Sequence, residues 1–100
     1  MANRTVTRPS DLLRAHRDEV LAITERHGGS DVLVFGSIAR GDDAVGSDVD
    51  LIVTFAPGST SLADVISLED ELAAVLGVPV DVVSSGAERI AVVVRNAVAL

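Results

Sequence analysis

The sequence predicts an α/β fold in which a small mixed β-sheet is flanked by helices, and three observations lead to this prediction. The length of 100 residues is the usual size of one domain, so we expect residues 1–100 to form a single domain. Some segments carry apolar residues at helical spacing, and others are short apolar runs typical of buried strands. These segments follow one another in the order α, β, β, α, β, α, which is typical of an α/β sandwich.

The first half of the chain is predicted to form one helix and two strands. A helix-start signal at Pro9 is followed by apolar residues at helical spacing, so we expect a helix over residues 9–27. The runs "DVLVFGS" and "DVDLIVTF" predict buried strands at residues 31–36 and 48–55. Because no long helix separates these two strands, we expect them to be antiparallel.

The second half is predicted to form a helix, a strand and a final helix. Ser61 can cap a helix that runs to Leu76, and Gly77 ends it. The run "VPVDVV" predicts a third strand, which the preceding helix should place parallel to the second strand and near it. The tail "ERIAVVVRNAVAL" predicts a helix, although a strand would also accept its valines. One face of that helix would carry Ile90, Val93, Val94, Ala97 and Val98.

The composition argues against several classes of function. The chain has no Cys, which removes disulfides, thiolate nucleophiles and Cys-based zinc sites and favours a reducing cytoplasm. A net charge of -7 and the absence of Trp and Tyr argue against direct nucleic-acid binding. The N terminus has no apolar h-region, and no uncharged apolar window reaches about 18 residues. We therefore expect neither a secretory signal nor a membrane span.

Acidic residues stand at the start of the second predicted strand and in the middle of the third. Asp48 and Asp50 are one residue apart, so their side chains should leave the same face about 6.5–7 Å from each other. Such carboxylates repel each other unless a cation lies between them, and Mg²⁺ or a pair of Mg²⁺ ions prefers these oxygen ligands. Asp81 becomes the third ligand if the third strand lies beside the second.

A Gly- and Ser-containing turn, "FGSIARG", precedes these carboxylates. Gly36 lets the backbone approach a ligand closely, and the hydroxyl of Ser37 with nearby amides can hold phosphate oxygens. Arg40 can bind a polyphosphate through paired hydrogen bonds, and Gly41 completes the loop. The stretch therefore predicts a phosphate-binding turn joined to a metal site.

Simpler interpretations remain open for the same residues. Asp48 and Asp50 could be solvated residues at a sheet edge, and Ser37 could only cap a helical turn. We expect the remaining polar residues of the loop to be solvated or to form turns, namely Asp42, Asp43 and Ser47. In "LEDELAAVL", the acidic residues Glu69, Asp70 and Glu71 predict the solvated face of a helix.

The pair Gly36-Ser37, ten intervening residues and Asp48-x-Asp50 resemble the GS-x10-DxD signature of the DNA polymerase β-like nucleotidyltransferase superfamily. The words "FGSIARG", "SDVDLIV" and "VDVV" are similar to those of minimal nucleotidyltransferase (MNT) proteins, which include the antitoxins paired with HEPN-domain toxins. The resemblance spans residues 32–83 and implies a polymerase β-like core. One departure is Ile38, which stands where many relatives carry a basic residue.

The resemblance also implies roles for these residues. Asp48 and Asp50 would bind catalytic Mg²⁺, Asp81 would be the third acidic residue, and Gly36 with Ser37 would hold the triphosphate of the nucleotide. The implied reaction is attack of a hydroxyl on the α-phosphorus of ATP, with pyrophosphate leaving and Asp81 helping to deprotonate the hydroxyl.

For MNT antitoxins the acceptor is a tyrosine hydroxyl of the HEPN toxin. This chain has no Tyr and so cannot be its own tyrosine acceptor. Two alternatives stay open: an antitoxin that neutralises its toxin by binding alone, and a transferase for a small-molecule hydroxyl.

Overall fold

A computed structural model describes residues 7–85 and 97–100, and these form a mixed four-stranded sheet with helices packed on it. The predicted α/β class is confirmed. In chain order, the elements are α1 (Pro9–Ala15), α2 (Arg17–Arg26), β1 (Gly29–Phe35), α3 (Gly36–Arg40), β2 (Val49–Phe55), α4 (Leu62–Leu76), β3 (Val80–Ser84) and β4 (Val98–Ala99). Within these described ranges, no helix has both the length and the apolar character needed to cross a membrane.

The sheet has the strand order β3-β2-β1-β4. Strand β2 is antiparallel to β1 and parallel to β3, as the sequence predicts. The parallel pair is joined by α4, whose N terminus is held by reciprocal hydrogen bonds between Ser61 and Asp64. This capping box confirms the predicted helix start.

The prediction for the end of the chain is wrong in part. Val98 and Ala99 form a short strand, β4, that pairs antiparallel with Val34 and Leu33 of β1, instead of extending a helix. The amide of Leu100 donates to the carbonyl of Val32 (3.1 Å), so β4 satisfies part of the otherwise open edge of β1. Residues 88–96 of the predicted tail helix lie outside the described residues.

The predicted helix over residues 9–27 is two helices that meet at His16. That residue has φ -111° and ψ 21°, and it ends α1 and precedes α2. No Gly or Pro marks this break in the sequence.

Helices α1, α2 and α4 cover one face of the sheet and bury the apolar core against it. The sheet contributes Val32, Val34, Val49, Leu51, Val53, Val80 and Val82, and the helices contribute Leu13, Val20, Ile23, Leu68, Leu72 and Leu76. Because side chains alternate along a strand, Asp50 and Asp81 lie on the face opposite this core.

Two acidic residues of α4 also hold neighbouring elements, so the prediction of a solvated acidic face is confirmed for exposed Asp70 and is incomplete for Glu69 and Glu71. The carboxylate of Glu69 accepts a hydrogen bond from the amide of Val82 (2.8 Å), on the edge strand β3. Glu71 binds Arg26 and the ring of His27 (2.9 Å), at the end of α2. Both contacts are long-range, and for that reason the local charge pattern did not reveal them.

Candidate active site

Two of the predicted site carboxylates are lateral neighbours in the sheet. Asp50 on β2 and Asp81 on β3 are paired residues of the parallel ladder, so their side chains leave the same face of adjacent strands. Adjacent strands are about 4.8 Å apart, which places the two carboxyl groups within contact of each other. Asp48 immediately precedes β2, two residues from Asp50, and is exposed. The structure therefore pairs Asp50 with Asp81 and leaves Asp48 exposed two residues away, where its charge still acts on Asp50.

The electrostatics of Asp50 show how crowded this arrangement is. Burial raises the pKa of the Asp50 carboxyl, and the negative charges of Asp81 and Asp48 raise it further. A hydrogen bond between the carboxyl groups of Asp50 and Asp81 acts in the same direction, because it requires one of the two to be protonated. The charge of Arg40 opposes these effects. A cation bound at Asp50 would relieve the repulsion.

Gly36 lies directly against the Asp50 carboxylate. Its φ is +72°, in the left-handed region that favours glycine, and a Cβ built on it would overlap Oδ2 of Asp50. The nearest other atoms to that Cβ also belong to the Asp50 side chain. The sequence predicts that Gly36 lets the backbone approach a ligand closely. In the structure, the group that its backbone approaches is the Asp50 carboxylate, and only a residue without a Cβ fits there.

The other predicted nucleotide-binding residues lie on the short helix α3 or next to it. Ser37 is the second residue of α3, and its carbonyl accepts a hydrogen bond from the amide of Asp42 (3.0 Å). Gly41, with φ +78°, ends α3 in the left-handed conformation. Arg40 is exposed, pairs with Asp42 (3.3 Å) and lies close enough to Asp50 to lower its pKa. Of these three residues, Arg40 is therefore the one that acts on the Asp50 carboxylate, whereas Ser37 lies at the start of the short helix that carries Arg40 and Gly41 ends that helix.

Ile38 is turned away from the carboxylates. It packs against the apolar core and lines a small groove with Leu13, Val34 and Val98. An apolar side chain at this position thus contributes to packing on α3.

Asp50 and Asp81 are the two carboxylates that the structure pairs, and they fit a cation whose other ligands come from phosphate and water. Among residues 7–85 and 97–100, no three His, Cys, Asp or Glu side chains are arranged as a metal site by themselves. Asp50 and Asp81 are paired, whereas Asp48 is exposed ahead of β2. Mg²⁺ is usually bound by one or two carboxylates, with phosphate oxygens and water as the remaining ligands. The donor set therefore suits Mg²⁺ that binds together with a nucleotide.

The sequence analysis missed the role of Asp43, which is not a solvated loop residue. Its side chain is fully buried and accepts hydrogen bonds from the guanidinium of Arg8 (2.7 Å) and the amide of Ser10 (2.9 Å). Burial by itself raises the pKa of Asp43, but these hydrogen bonds outweigh it and hold the pKa below its ordinary value. Asp43 is therefore a buried anion with built-in partners. No local pattern could reveal this, since Arg8 is 35 residues away.

A second concave surface lies at the opposite end of β2 and β3. It has a volume of about 570 Å³ and is lined by the ends of these strands and the start of α4, including Phe55, Pro57, Leu62, Val65 and Ser84. Because Asp50 and Asp81 stand near the first residues of β2 and β3, this groove is separate from the carboxylates.

Comparison with known proteins places the chain among nucleotide-transferring enzymes. The model of the nucleotidyltransferase domain family matches residues 14–98. The protein adenylyltransferase MntA of Thermococcus cleftensis is 41% identical over 83 residues, which cover 83% of this chain and 80% of that protein. A protein of Methanocaldococcus jannaschii, assigned as a protein adenylyltransferase, is 33% identical over 84 residues, or 84% of this chain and 82% of its own length.

Solved structures share the fold. One assigned as a minimal nucleotidyltransferase superposes with a TM-score of 0.76 at 44% identity, covering 91% of this chain and 95% of its own. A chain from the complex of tri-AMPylated Shewanella oneidensis HEPN toxin with MNT antitoxin superposes with a TM-score of 0.66 at 19% identity, covering 86% of this chain and 69% of that one. The second likeness concerns the fold alone.

Proposed function

The chain belongs to the nucleotidyltransferase domain family, and from this premise we propose that it is a Mg²⁺-dependent protein adenylyltransferase that transfers AMP from ATP to a partner protein. The observation that carries the proposal is the register of the parallel strands, which sets Asp81 directly beside Asp50. Relatives named protein adenylyltransferases support the same reaction. We take residues 1–100 as one domain that acts in the cytoplasm.

The proposed role of each site residue follows from its position. Asp48 and Asp50 hold Mg²⁺, with Asp81 as the third acidic ligand. Gly36 and Ser37 bind the triphosphate at the start of α3, next to Asp50. A bound Mg²⁺ ion or ion pair would neutralise charge on the phosphates. Gly41 and Arg40 complete the nucleotide site, and Arg40 adds positive charge beside Asp50.

In the proposed reaction, an acceptor hydroxyl oxygen forms a bond to the α-phosphorus of ATP. The bond from that phosphorus to the bridging oxygen of the β-phosphate breaks, and pyrophosphate leaves. In this proposal Asp81 accepts the hydroxyl proton, and its exposure beside half-buried Asp50 supports that role.

We propose a tyrosine hydroxyl of a HEPN-domain toxin as the acceptor, which would make this chain an antitoxin. Two points support this choice. One relative is named protein adenylyltransferase MntA, and a chain of an MNT–HEPN complex shares the fold. The absence of Tyr from this sequence requires that a tyrosine acceptor belong to another protein.

The test combines the purified protein with a candidate HEPN-domain toxin, ATP and Mg²⁺. Intact-mass spectrometry of the toxin should show added AMP, and toxicity in cells should fall. The double substitution Asp48→Ala with Asp50→Ala should abolish both effects. Asp11→Ala with Asp18→Ala is the matched control, because it removes two exposed carboxylates of α1 and α2 and changes the net charge equally.

Two results would contradict the proposal. Neutralisation that survives loss of Asp48 and Asp50 would mean that the antitoxin acts by binding alone. Transfer of AMP to a small molecule, with no change in the mass of the toxin, would mean that the acceptor is not a protein.

A further inference from the structure

The loop between α3 and β2, residues 41–48, joins the two halves of the proposed site. Its first residue, Gly41, follows Arg40 of the nucleotide-binding turn, and its last residue, Asp48, is a proposed metal ligand. The described hydrogen bonds inside the loop link Ala44 and Ser47, from backbone to backbone and from the Ala44 amide to the Ser47 hydroxyl (both 2.9 Å). The relative placement of its two ends therefore depends on contacts from elsewhere in the chain.

At the loop ends, the amide of Asp42 donates to the carbonyl of Ser37 (3.0 Å) and the amide of Val49 donates to the carbonyl of Pro79 (2.9 Å). Between these ends, the loop is held by the start of α1. The guanidinium of Arg8 donates to the carbonyls of Asp43 (2.9 Å) and Gly41 (3.2 Å) and to the carboxylate of Asp43 (2.7 Å). The other carboxylate oxygen of Asp43 accepts from the amide of Ser10, in the first turn of α1 (2.9 Å). Arg8 itself has no side-chain hydrogen bond that caps the helix, so Asp43 satisfies a donor at its N terminus. One ion pair thus fixes the first half of the loop, at Gly41 and Asp43.

A loop can be closed without a buried pair of charges such as Arg8 and Asp43. The side chain of Asp43 is 0% exposed, so a full negative charge has been removed from water. When apolar residues replace a buried ion pair, the protein is often as stable or more stable. An ion pair with several directed hydrogen bonds, in contrast, holds its two partners in one geometry. The retained charge therefore favours a role in setting the position of the loop.

We propose that Arg8 and Asp43 are a positioning pair that holds Asp48 at the correct distance from the Gly36–Ser37 turn, so that Mg²⁺ and the nucleotide bind cooperatively. This inference rests on the proposed function. Neither residue touches the nucleotide in this account, because both act through the loop. Its measurable consequence is the factor by which Mg²⁺ tightens nucleotide binding.

The experiment measures the affinity for AMP-PNP, an ATP analogue, by calorimetry with and without Mg²⁺. In the unmodified protein we expect Mg²⁺ to tighten binding by at least about 10-fold, and in Arg8→Met by less than about 3-fold, because a displaced ligand loses most of its contribution. Arg8→Lys should recover part of the effect, since an ammonium group can reach the Asp43 carboxylate but cannot make all three hydrogen bonds. Arg14→Met is the matched control on the same helix, because Arg14 pairs with exposed Asp11 and, within residues 7–85 and 97–100, with no other carboxylate.

Thermal unfolding of each variant sets a measurement temperature at which all are folded, so that lost stability alone cannot change the Mg²⁺ effect. An equal Mg²⁺ effect in Arg8→Met and the unmodified protein would overturn the positioning role and leave the proposed function intact. Absence of any Mg²⁺ effect in the unmodified protein would overturn both. If Arg8→Met fails to fold, Arg8→Lys is compared with the unmodified protein instead. If Mg²⁺ then tightens AMP-PNP binding equally in both, the positioning role is overturned.

Discussion

Substituting Gly36 by Ala tests the close contact on which the site depends. The new methyl group would occupy the space of Asp50 Oδ2, and the backbone at this position has φ +72°. Gly77→Ala is a matched control, because Gly77 has φ +77° and a Cβ there would meet nothing within 4 Å. Gly77 ends α4, away from the carboxylates. The two variants share the backbone strain and differ in the contact with Asp50.

The expected magnitudes follow from these two terms. An L residue in the left-handed region costs about 1–2 kcal/mol, and Ala recovers about 0.4–1 kcal/mol by restricting the unfolded chain. Gly77→Ala should therefore lower the free energy of unfolding by about 1 kcal/mol. In Gly36→Ala the Asp50 side chain must also leave its preferred rotamer, which costs about 0.5–1.5 kcal/mol. The loss should then be about 2 kcal/mol.

Urea denaturation measures both free energies of unfolding, and the AMP-transfer rate measures the site. Gly36→Ala should lose about 100-fold in rate, because a shift of about 1 Å in a reacting geometry has that effect, whereas Gly77→Ala should keep the unmodified rate. Equal losses of stability and equal rates in the two variants would refute the inferred contact between Gly36 and Asp50.

The remaining predictions concern stability and pH. Asp50→Asn should abolish AMP transfer. It should leave the protein as stable or more stable at pH 7, because it removes a charge that is half-buried beside Asp81. A clear loss in the free energy of unfolding, measured by urea denaturation, would indicate that Asp50 is a structural residue. Since the pKa of Asp50 is raised in the folded state, its charge begins to destabilise the fold as pH rises above about 4, and any advantage of Asp50→Asn should vanish near pH 3. The pKa of Asp43 is lowered, so its stabilisation is complete above about pH 4 and is lost as pH falls. Asp43→Asn should therefore lower the free energy of unfolding at pH 7 by about 2 kcal/mol, with a smaller difference in acid, and an equal difference at both pH values would contradict the assigned charge. Ser61→Ala removes the capping box of α4 and should cost about 1 kcal/mol without changing the transfer rate, which thermal unfolding and the transfer assay can check.

The parts of the fold that local chemistry determines could be predicted from the sequence. Ser61 and Gly77 mark the two ends of α4 through side-chain capping and a left-handed residue, and the apolar runs mark β1 and β2. The sequence also predicts that β2 and β3 are parallel and near each other, because a helix joins them. The structure makes them direct neighbours, which meets the condition for placing Asp81 beside Asp50. The roles proposed for the site residues stay predictions.

The features that sequence analysis missed all depend on distant contacts. The break at His16 has no local signal, and Asp43 is buried only because Arg8 and Ser10 reach it. At the C terminus, Val98 joins β1 because that strand has an open edge, although a valine-rich segment at helical spacing accepts either structure. Local periodicity carries no information on such partners.

The most direct test of the central claim uses ATP labelled at either the α- or the γ-phosphate in parallel reactions with the HEPN-domain protein and Mg²⁺. The account predicts that the α-label becomes covalently bound to the toxin, that the γ-label leaves as pyrophosphate, and that Asp50→Asn eliminates the bound label. Attachment of the γ-label, or unchanged α-labelling by Asp50→Asn, would contradict the account.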